Sequence, residues 1–161
     1  MMNKENFIVV DYMKCVGCGT CEMVCSLSHE DICSPTLSRM RVVRQEREGY
    51  NVPITCSECE KPACLNVCPV GAISRDKDSG MVVVDAYHCI GCRQCVRACP
   101  FGHMSYNFEK KTAFKCDLCG GDPQCVRFCW MKAIEYKPMD QMSGEKRLEA
   151  AIKKIEAINR D

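Results

Sequence analysis

The chain has 161 residues, carries a formal net charge of +1 at pH 7 and contains 17 cysteines. A nearly neutral chain gives no reason to expect long-range attraction to nucleic acid or to an anionic membrane. No stretch approaches the ~20 apolar residues of a membrane span, and the first residues lack the apolar run of a signal peptide. The sequence therefore predicts a cytoplasmic protein of one or two small domains, with no nucleic-acid partner and no direct insertion into a membrane.

Sixteen of the cysteines fall into four groups, which we call quartets one to four in chain order. They are Cys15, Cys18, Cys21 and Cys25; Cys56, Cys59, Cys64 and Cys68; Cys89, Cys92, Cys95 and Cys99; and Cys116, Cys119, Cys125 and Cys129. Quartets one and three have the CxxCxxCxxxC spacing with which bacterial ferredoxins bind [4Fe–4S] clusters, and proline follows quartets two and three. Zinc sites and disulfide scaffolds are also rich in cysteine, but neither explains the spacing or the proline. The sequence predicts four [4Fe–4S] clusters.

The segments beside the quartets show which of them are alike. A predicted strand over 8–11 precedes quartet one, and a matching strand over 82–85 precedes quartet three at the same distance. Quartets two and four have longer internal gaps with a proline, and a β-prone stretch follows each of them, at 71–74 and at 132–136. Asp-Ser-Gly at 78–80 predicts a hairpin that joins quartets two and three.

This comparison favours a nested arrangement over a tandem one. Quartets two and three form one unit with their hairpin, and the strand at 8–11 pairs with residues 133–136 to complete the other. The predicted fold class is α+β, with two bacterial-ferredoxin-like dicluster units related by pseudo-twofold symmetry. The central unit is 56–99, the terminal unit is built from 1–55 and 100–142, and an amphipathic C-terminal helix occupies 143–161. The apolar face of that helix carries Leu148, Ala151, Ile152, Ile155 and Ile158.

The fourth cysteine of each run binds the other cluster in two-cluster ferredoxins. Crossing the quartets in this way predicts four ligand groups. They are Cys15, Cys18, Cys21 and Cys129; Cys116, Cys119, Cys125 and Cys25; Cys56, Cys59, Cys64 and Cys99; and Cys89, Cys92, Cys95 and Cys68. Gly17 and Gly91 occupy equivalent places in quartets one and three and are candidate cofactor-binding residues, because glycine lets backbone N–H groups approach a cluster. A simple turn glycine is the alternative.

Several notable residues lie outside the quartets. Cys33 is expected to be a free thiol in the loop after quartet one that acts as a packing residue, with an alternative ligand or a redox sensor as the other interpretations. His29, His88 and His103 are expected to be structural or surface groups, and the alternative for His29 is tuning of the nearby cluster or relay of a proton. The stretch 38–47 has four arginines and is either a solvated strand edge or a docking strip for an acidic partner. Neither a GxGxxG nor a GxxxxGK[ST] motif is present, so the chain is predicted to be non-catalytic on its own.

The order of the quartets and the CxxCxxxxC form of quartet two resemble the four-cluster iron–sulfur subunits of the dimethyl sulfoxide reductase family, over about residues 7–137. Segments 15–30 and 35–42 further resemble the small ferredoxin-like subunits beside tungsten aldehyde:ferredoxin oxidoreductases and class II benzoyl-CoA reductases. They are also similar to ferredoxin-like partners of carbon monoxide dehydrogenases and energy-converting hydrogenases. Ser26 and Trp130 stand where the ferredoxin pattern has proline, which puts the geometry of the terminal unit in question.

The resemblance implies an electron-transfer subunit of anaerobic metabolism. Its expected partner is a large catalytic oxidoreductase subunit with a tungsten or molybdenum pterin, of the aldehyde oxidoreductase type. The second carrier would be ferredoxin, a flavin subunit or a further copy of the chain. The alternatives are a free polyferredoxin, a partner of carbon monoxide dehydrogenase or hydrogenase, and a redox-sensing or assembly module.

Overall fold

The computed structural model describes residues 6–77 and 79–138, and within them eight short strands form four separate antiparallel pairs. The strands are β1 (Asn6–Val10), β2 (Arg41–Gln45), β3 (Tyr50–Ile54), β4 (Ile73–Arg75), β5 (Val82–Val84), β6 (Ser105–Asn107), β7 (Thr112–Phe114) and β8 (Ile134–Pro138). The pairs are β1 with β8, β2 with β3, β4 with β5 and β6 with β7. Together with the helices described next, they give the predicted α+β class.

Each quartet contributes at least one cysteine to a helix. The helices are α1 (Thr20–Glu30), α2 (Ala63–Asn66), α3 (Gln94–Ala98) and α4 (Gln124–Arg127). Pro62 and Pro123 directly precede α2 and α4, where the missing backbone N–H of proline costs no helical hydrogen bond. Single turns of 3-10 helix occur at Tyr12–Lys14, Pro35–Leu37 and Leu118–Gly121.

The two predicted strand pairings are confirmed. β1 and β8 are antiparallel, with Ile8 opposite Tyr136, so the two ends of the described chain lie side by side. β4 and β5 form the predicted hairpin, with Ile73 opposite Val84, and β4 begins two residues after the start of the predicted stretch at 71–74. The Asp76 carboxylate accepts a hydrogen bond from the Ser79 N–H at 2.7 Å and closes the turn.

Two further hairpins were not predicted. β2 and β3 pair with Val43 opposite Val52, and β6 and β7 pair with Tyr106 opposite Ala113. The first of them contains part of the arginine-rich stretch, and these arginines bind within the chain. Arg44 forms an ion pair with the buried carboxylate of Glu22 at 2.7 Å, and Arg41 donates to the backbone oxygen of Thr36 at 2.6 Å.

The buried residues form three apolar groups, and each contains cysteine. The first includes Cys21, Met40, Val42, Cys125 and Ile134; the second includes Ile73, Val82, Cys95, Met104 and Ala113; the third is Met81, Cys116 and Leu118. The first group draws on both ends of the chain, as the β1–β8 pairing requires.

Among the described residues, no helix has the length and apolar character needed to span a membrane. The C-terminal helix predicted over 143–161 lies outside the described residues.

Candidate metal centres

One cavity is lined by the four cysteines of the first predicted ligand group. They are Cys15, Cys18, Cys21 and Cys129. Cys21 lies on α1 and Cys129 follows α4, and the contact between these helices accompanies the β1–β8 pairing. Val42, Pro53 and Trp130 contribute apolar walls. The structure therefore brings a cysteine of quartet four to the other three from quartet one.

A second cavity has the same construction in the middle of the chain. The cysteines that line it are Cys68, Cys89, Cys92 and Cys95. Cys68 closes quartet two and the others belong to quartet three, so the crossing of quartets recurs here. Val84, Ile90 and Ala113 lie in the wall of this cavity.

The thiols of the Cys116 group also lie close together. Burial raises the pKa of the Cys125 thiol, and neighbouring thiols raise it further because a second negative charge nearby is unfavourable. These neighbours are Cys116, Cys25 and Cys119 of the Cys116 group and Cys21 of the Cys15 group. Cys25 of quartet one thus lies near thiols of quartet four, and its place as their fourth ligand stays a prediction.

In the Cys56 group, the structure brings Cys64 and Cys99 close to each other. Burial raises the pKa of the Cys64 thiol, and the nearby Cys99 thiol adds to the rise. Cys56 packs in a different apolar group, with Met81 and Cys116. Cys59 is held through its backbone carbonyl, which accepts a hydrogen bond from Arg75 at 2.8 Å.

Backbone N–H groups point at the last cysteine of three quartets. His103 donates to the sulfur of Cys99 at 3.3 Å, Ala133 to that of Cys129 at 3.3 Å, and Arg39 to that of Cys25 at 3.2 Å. Burial alone would raise the pKa of Cys99, but hydrogen bonds from the N–H groups of His103 and Phe101 lower it. Such donors stabilise a thiolate. Sequence reasoning missed them, although the donor is the fourth residue after the cysteine in quartets three and four.

Gly17 and Gly91 both adopt a left-handed backbone, with φ of 69° at each. A Cβ on Gly91 would lie 2.5 Å from the backbone oxygen of Lys111, in the β6–β7 turn. A Cβ on Gly17 would lie 2.5 Å from the side-chain oxygen of Asn51, on β3. Each glycine thus permits a tight turn and the close approach of a neighbouring hairpin. Their predicted contact with a cofactor stays a prediction.

His29 belongs to a polar network beside the Cys116 group. Its ring nitrogens bind the backbone oxygen of Cys25 at 2.8 Å and the carboxylate of Asp117 at 3.1 Å. Hydrogen bonds to Asp117, Cys119 and Cys25 raise the pKa of His29 to about 12. Burial opposes ionisation of Asp117, but His29 and the Arg39 guanidinium together hold its pKa well below the usual range. His29 is a structural group that ties α1 to quartet four.

The other histidines and Cys33 lie near the surface. His88 contacts Asp85 at 2.7 Å, and the ring of His103 stacks on Phe101 with 5.6 Å between centroids. Cys33 is exposed in the loop after α1. The prediction of a free thiol in this loop is therefore confirmed, whereas the packing role expected of it is wrong, because the side chain lies at the surface beyond the end of α1 at Glu30.

The donor chemistry of the two cavities fits an iron–sulfur cluster. Four thiols face each cavity, and thiolate is the ligand type that iron–sulfur clusters take. Apolar walls limit access of water, which is one of the levers that set the potential of such a centre.

The comparisons with known proteins identify the class. Residues 47–139 match the sequence family described as the 4Fe-4S dicluster domain, and residues 8–26 match the 4Fe-4S binding domain. The chain is an iron–sulfur protein of electron transport that binds multiple [4Fe–4S] clusters.

Individual relatives agree with this class. The chain is 45% identical over 123 residues to the aliphatic sulfonate oxidoreductase, polyferredoxin-like subunit, of Pyrococcus furiosus, covering 76% of this chain and 70% of the relative. It is 39% identical over 161 residues to the B subunit of anaerobic dimethyl sulfoxide reductase of Escherichia coli, and this match covers 88% of this chain and 77% of the relative. One component of the active site complex BamBC of benzoyl coenzyme A reductase, solved with 1,5-dienoyl-CoA, superposes with a TM-score of 0.50 at 28% identity, covering 82% and 75%.

The chain belongs to the 4Fe-4S dicluster domain family and is a relative of the B subunit of anaerobic dimethyl sulfoxide reductase. The resemblance inferred from the quartets is confirmed. These relatives are named as subunits of oxidoreductases, one of them polyferredoxin-like, and this chain is a non-catalytic electron-transport protein.

Proposed function

We propose that the chain is the electron-transfer subunit of an oxidoreductase complex and carries four [4Fe–4S] clusters. It relays single electrons between a catalytic subunit with a tungsten or molybdenum pterin and a second carrier. The observation that carries the proposal is the crossing of quartets: two cavities are each lined by three cysteines of one quartet and the last cysteine of another.

The proposed ligand groups are the four predicted from the sequence. A bound [4Fe–4S] cluster supplies a centre that accepts and releases one electron. The chain's own residues would hold it through four thiolates, limit the access of water with apolar side chains, and direct backbone N–H groups at sulfur. The donors from His103, Ala133 and Arg39 favour the thiolate form of the cysteines that they contact.

The proposed domain organisation has a central unit at 56–99 and a terminal unit at 1–55 and 100–142. The equivalence of the β1–β8 and β4–β5 pairs supports the pseudo-twofold relation between them. The β6–β7 hairpin falls within the terminal range, but its residue Ala113 packs in the core of the central unit. This hairpin therefore connects the two units.

Two ligand groups have a thiol at the surface, so electrons could enter the protein at one group and leave it at the other. Cys18 of the Cys15 group and Cys92 of the Cys89 group are both exposed. Trp130 beside the first cavity is 68% exposed, and Ile90 beside the second is 64% exposed. Such apolar surface next to an exposed ligand suits contact with a redox partner.

The nature of the partner rests on the relatives. Subunits of aliphatic sulfonate oxidoreductase, of dimethyl sulfoxide reductase and of benzoyl coenzyme A reductase are all similar to this chain. A pterin-containing catalytic subunit is proposed on that basis, with ferredoxin, a flavin subunit or a further copy of the chain as the second carrier. A cytoplasmic location stays a prediction from the sequence.

The partner is tested by purification of an affinity-tagged chain from its native host under anaerobic conditions. We expect a large chain to copurify at equal molar yield and to contain tungsten or molybdenum by metal analysis. Recovery of the tagged chain alone, with its iron complete, would favour a free polyferredoxin instead.

The ligand crossing is tested by serine substitution and electron paramagnetic resonance of the reduced protein. We expect Cys129→Ser to remove the same signals as Cys18→Ser, although the two residues belong to different quartets. Cys119→Ser should remove a different set, shared with Cys25→Ser. If the spectrum of Cys129→Ser matched that of Cys119→Ser, the quartets would not cross. Cys33→Ser is the matched control, and the intact protein should contain about sixteen irons per chain.

A further inference from the structure

A lysine is buried directly before quartet four. Lys115 follows β7 and precedes Cys116, and its side chain is only 2% exposed. Its ammonium donates to the Glu58 carboxylate at 2.6 Å, to the Cys116 backbone oxygen at 2.7 Å and to the backbone oxygen of Val82. An ammonium has three N–H donors, so these acceptors satisfy all of them.

The partner carboxylate is held as firmly as the lysine. The Glu58 side chain is 6% exposed, and its second oxygen accepts a hydrogen bond from the Val82 N–H at 3.1 Å. The Glu58 backbone has a φ of 44°, a left-handed conformation that costs energy in a residue other than glycine. The chain therefore accepts local strain in a loop that brings this carboxylate to Lys115.

The charge pair lies where the two proposed units meet. Glu58 is in the loop between Cys56 and Cys59, whereas Lys115 is next to Cys116. Cys56 and Cys116 pack against one apolar group, so both ligand groups border the same small region. The backbone of Val82 on β5 contacts both members of the pair: its N–H donates to Glu58 and its oxygen accepts from Lys115.

A contribution to folding stability does not explain why this buried charge pair is present. Removing two charges from water costs several kcal/mol for each ion in real proteins, and apolar residues of similar volume are often as stabilising as a buried ion pair. A fixed charge beside a redox centre does have an electrostatic effect. One-electron reduction adds a negative charge, which a nearby buried cation favours and a nearby anion opposes, with little screening by solvent.

We propose that Lys115 and Glu58 are a buried charge pair that sets the reduction potentials on both sides of the junction between the Cys56 and Cys116 groups. Lys115 raises these potentials and Glu58 lowers them. The pair acts through its charges and not as a ligand, so both are positioning residues for electron transfer between the units. This inference rests on the proposed four-cluster function.

The test is a redox titration of the cluster-loaded protein with dithionite, followed by electron paramagnetic resonance. Signals of the two groups are first assigned from the spectra of Cys59→Ser and Cys119→Ser. We expect Lys115→Met to shift the midpoint potentials of both groups to more negative values. Glu58→Gln should shift them to more positive values. The midpoint potentials of the Cys15 and Cys89 groups should not change.

Lys14→Met is the matched control. Lys14 precedes the first cysteine of quartet one as Lys115 precedes that of quartet four, and it also pairs with a carboxylate, at 3.1 Å from Asp11. Its side chain is 52% exposed, so solvent screens the charge. We expect a much smaller shift of the Cys15 group in this variant. An equal shift would overturn the role given to burial.

If Lys115→Met alone does not fold, the test uses two other variants. They are Glu58→Gln and the double variant Lys115→Met with Glu58→Gln, in which both charges are removed. A more negative potential in the double variant than in Glu58→Gln supports the proposal. Unchanged potentials in both variants, at the iron content of the intact protein, overturn it and leave the four-cluster function standing. An intact protein that lacks the signals of either group overturns both.

Discussion

Replacement of Gly91 by alanine tests how closely the quartet-three loop approaches the β6–β7 hairpin. The new methyl carbon would lie 2.5 Å from the backbone oxygen of Lys111 and 3.0 Å from the hydroxyl of Tyr106. The hydroxyl can move, but the backbone oxygen belongs to a hydrogen-bonded turn. The loop, the hairpin or both must therefore shift.

The cost has two parts. A left-handed backbone costs an alanine about 1 to 2 kcal/mol, and forced overpacking adds about 1 to 3 kcal/mol. Gly102→Ala is the matched control, because its φ of 67° is nearly the same and nothing lies within 4 Å of the new carbon. Gly102→Ala should therefore have only the cost of the left-handed backbone. The difference in stability between the two variants then measures the cost of the clash.

The assay is the half-life of the cluster absorbance at a fixed elevated temperature without oxygen, since loss of clusters makes unfolding irreversible. If the clash is relieved in the transition state for unfolding, Gly91→Ala should lose its clusters roughly tenfold faster than Gly102→Ala, because about 1.4 kcal/mol corresponds to a factor of ten. Gly17→Ala should lie between them, since the side chain of Asn51 can rotate away. Equal half-lives for Gly91→Ala and Gly102→Ala would refute the close approach.

Three further results are expected. Cys33→Ser should leave iron content and half-life unchanged, because this thiol is exposed; lost iron would make it a ligand. Met40→Ala, at a side chain that is 1% exposed, should cost about 2 to 5 kcal/mol and shorten the half-life of the cluster absorbance, and an unchanged half-life would argue against its core position. Removal of iron with a chelator should abolish most of the circular dichroism signal, because each apolar group contains cysteine; a native-like spectrum would show that the core folds without metal.

The pairing of β1 with β8 was predictable because the segments beside the terminal quartets resemble those beside the central quartets. The segments before Cys15 and Cys89 match, so recognition of the central hairpin also identified its terminal counterpart. The β6–β7 hairpin left a weaker signal. Its turn depends on the side chain of Asn107, whose oxygen accepts N–H groups of Glu109 and Lys110 at 3.0 Å each. Asparagine before a short polar run could have indicated it.

The charged residues were the hardest to place from sequence. Lysine and arginine are usually solvated, so nothing near Lys115 predicts burial. The same holds for Arg44 and Arg39, whose carboxylate partners are Glu22 and Asp117. These partners lie far along the chain or in another element, and only the folded backbone brings them together.

The β1–β8 pair also bears on how the protein is made. Ile8 leaves the ribosome long before Tyr136, its partner in the sheet. At about 5 to 20 residues per second, the interval is roughly 6 to 25 seconds. During this time quartet one is outside the ribosome without Cys129. We therefore expect the central quartets to be able to mature on the growing chain before the terminal ones, which must wait until Cys129 has also emerged.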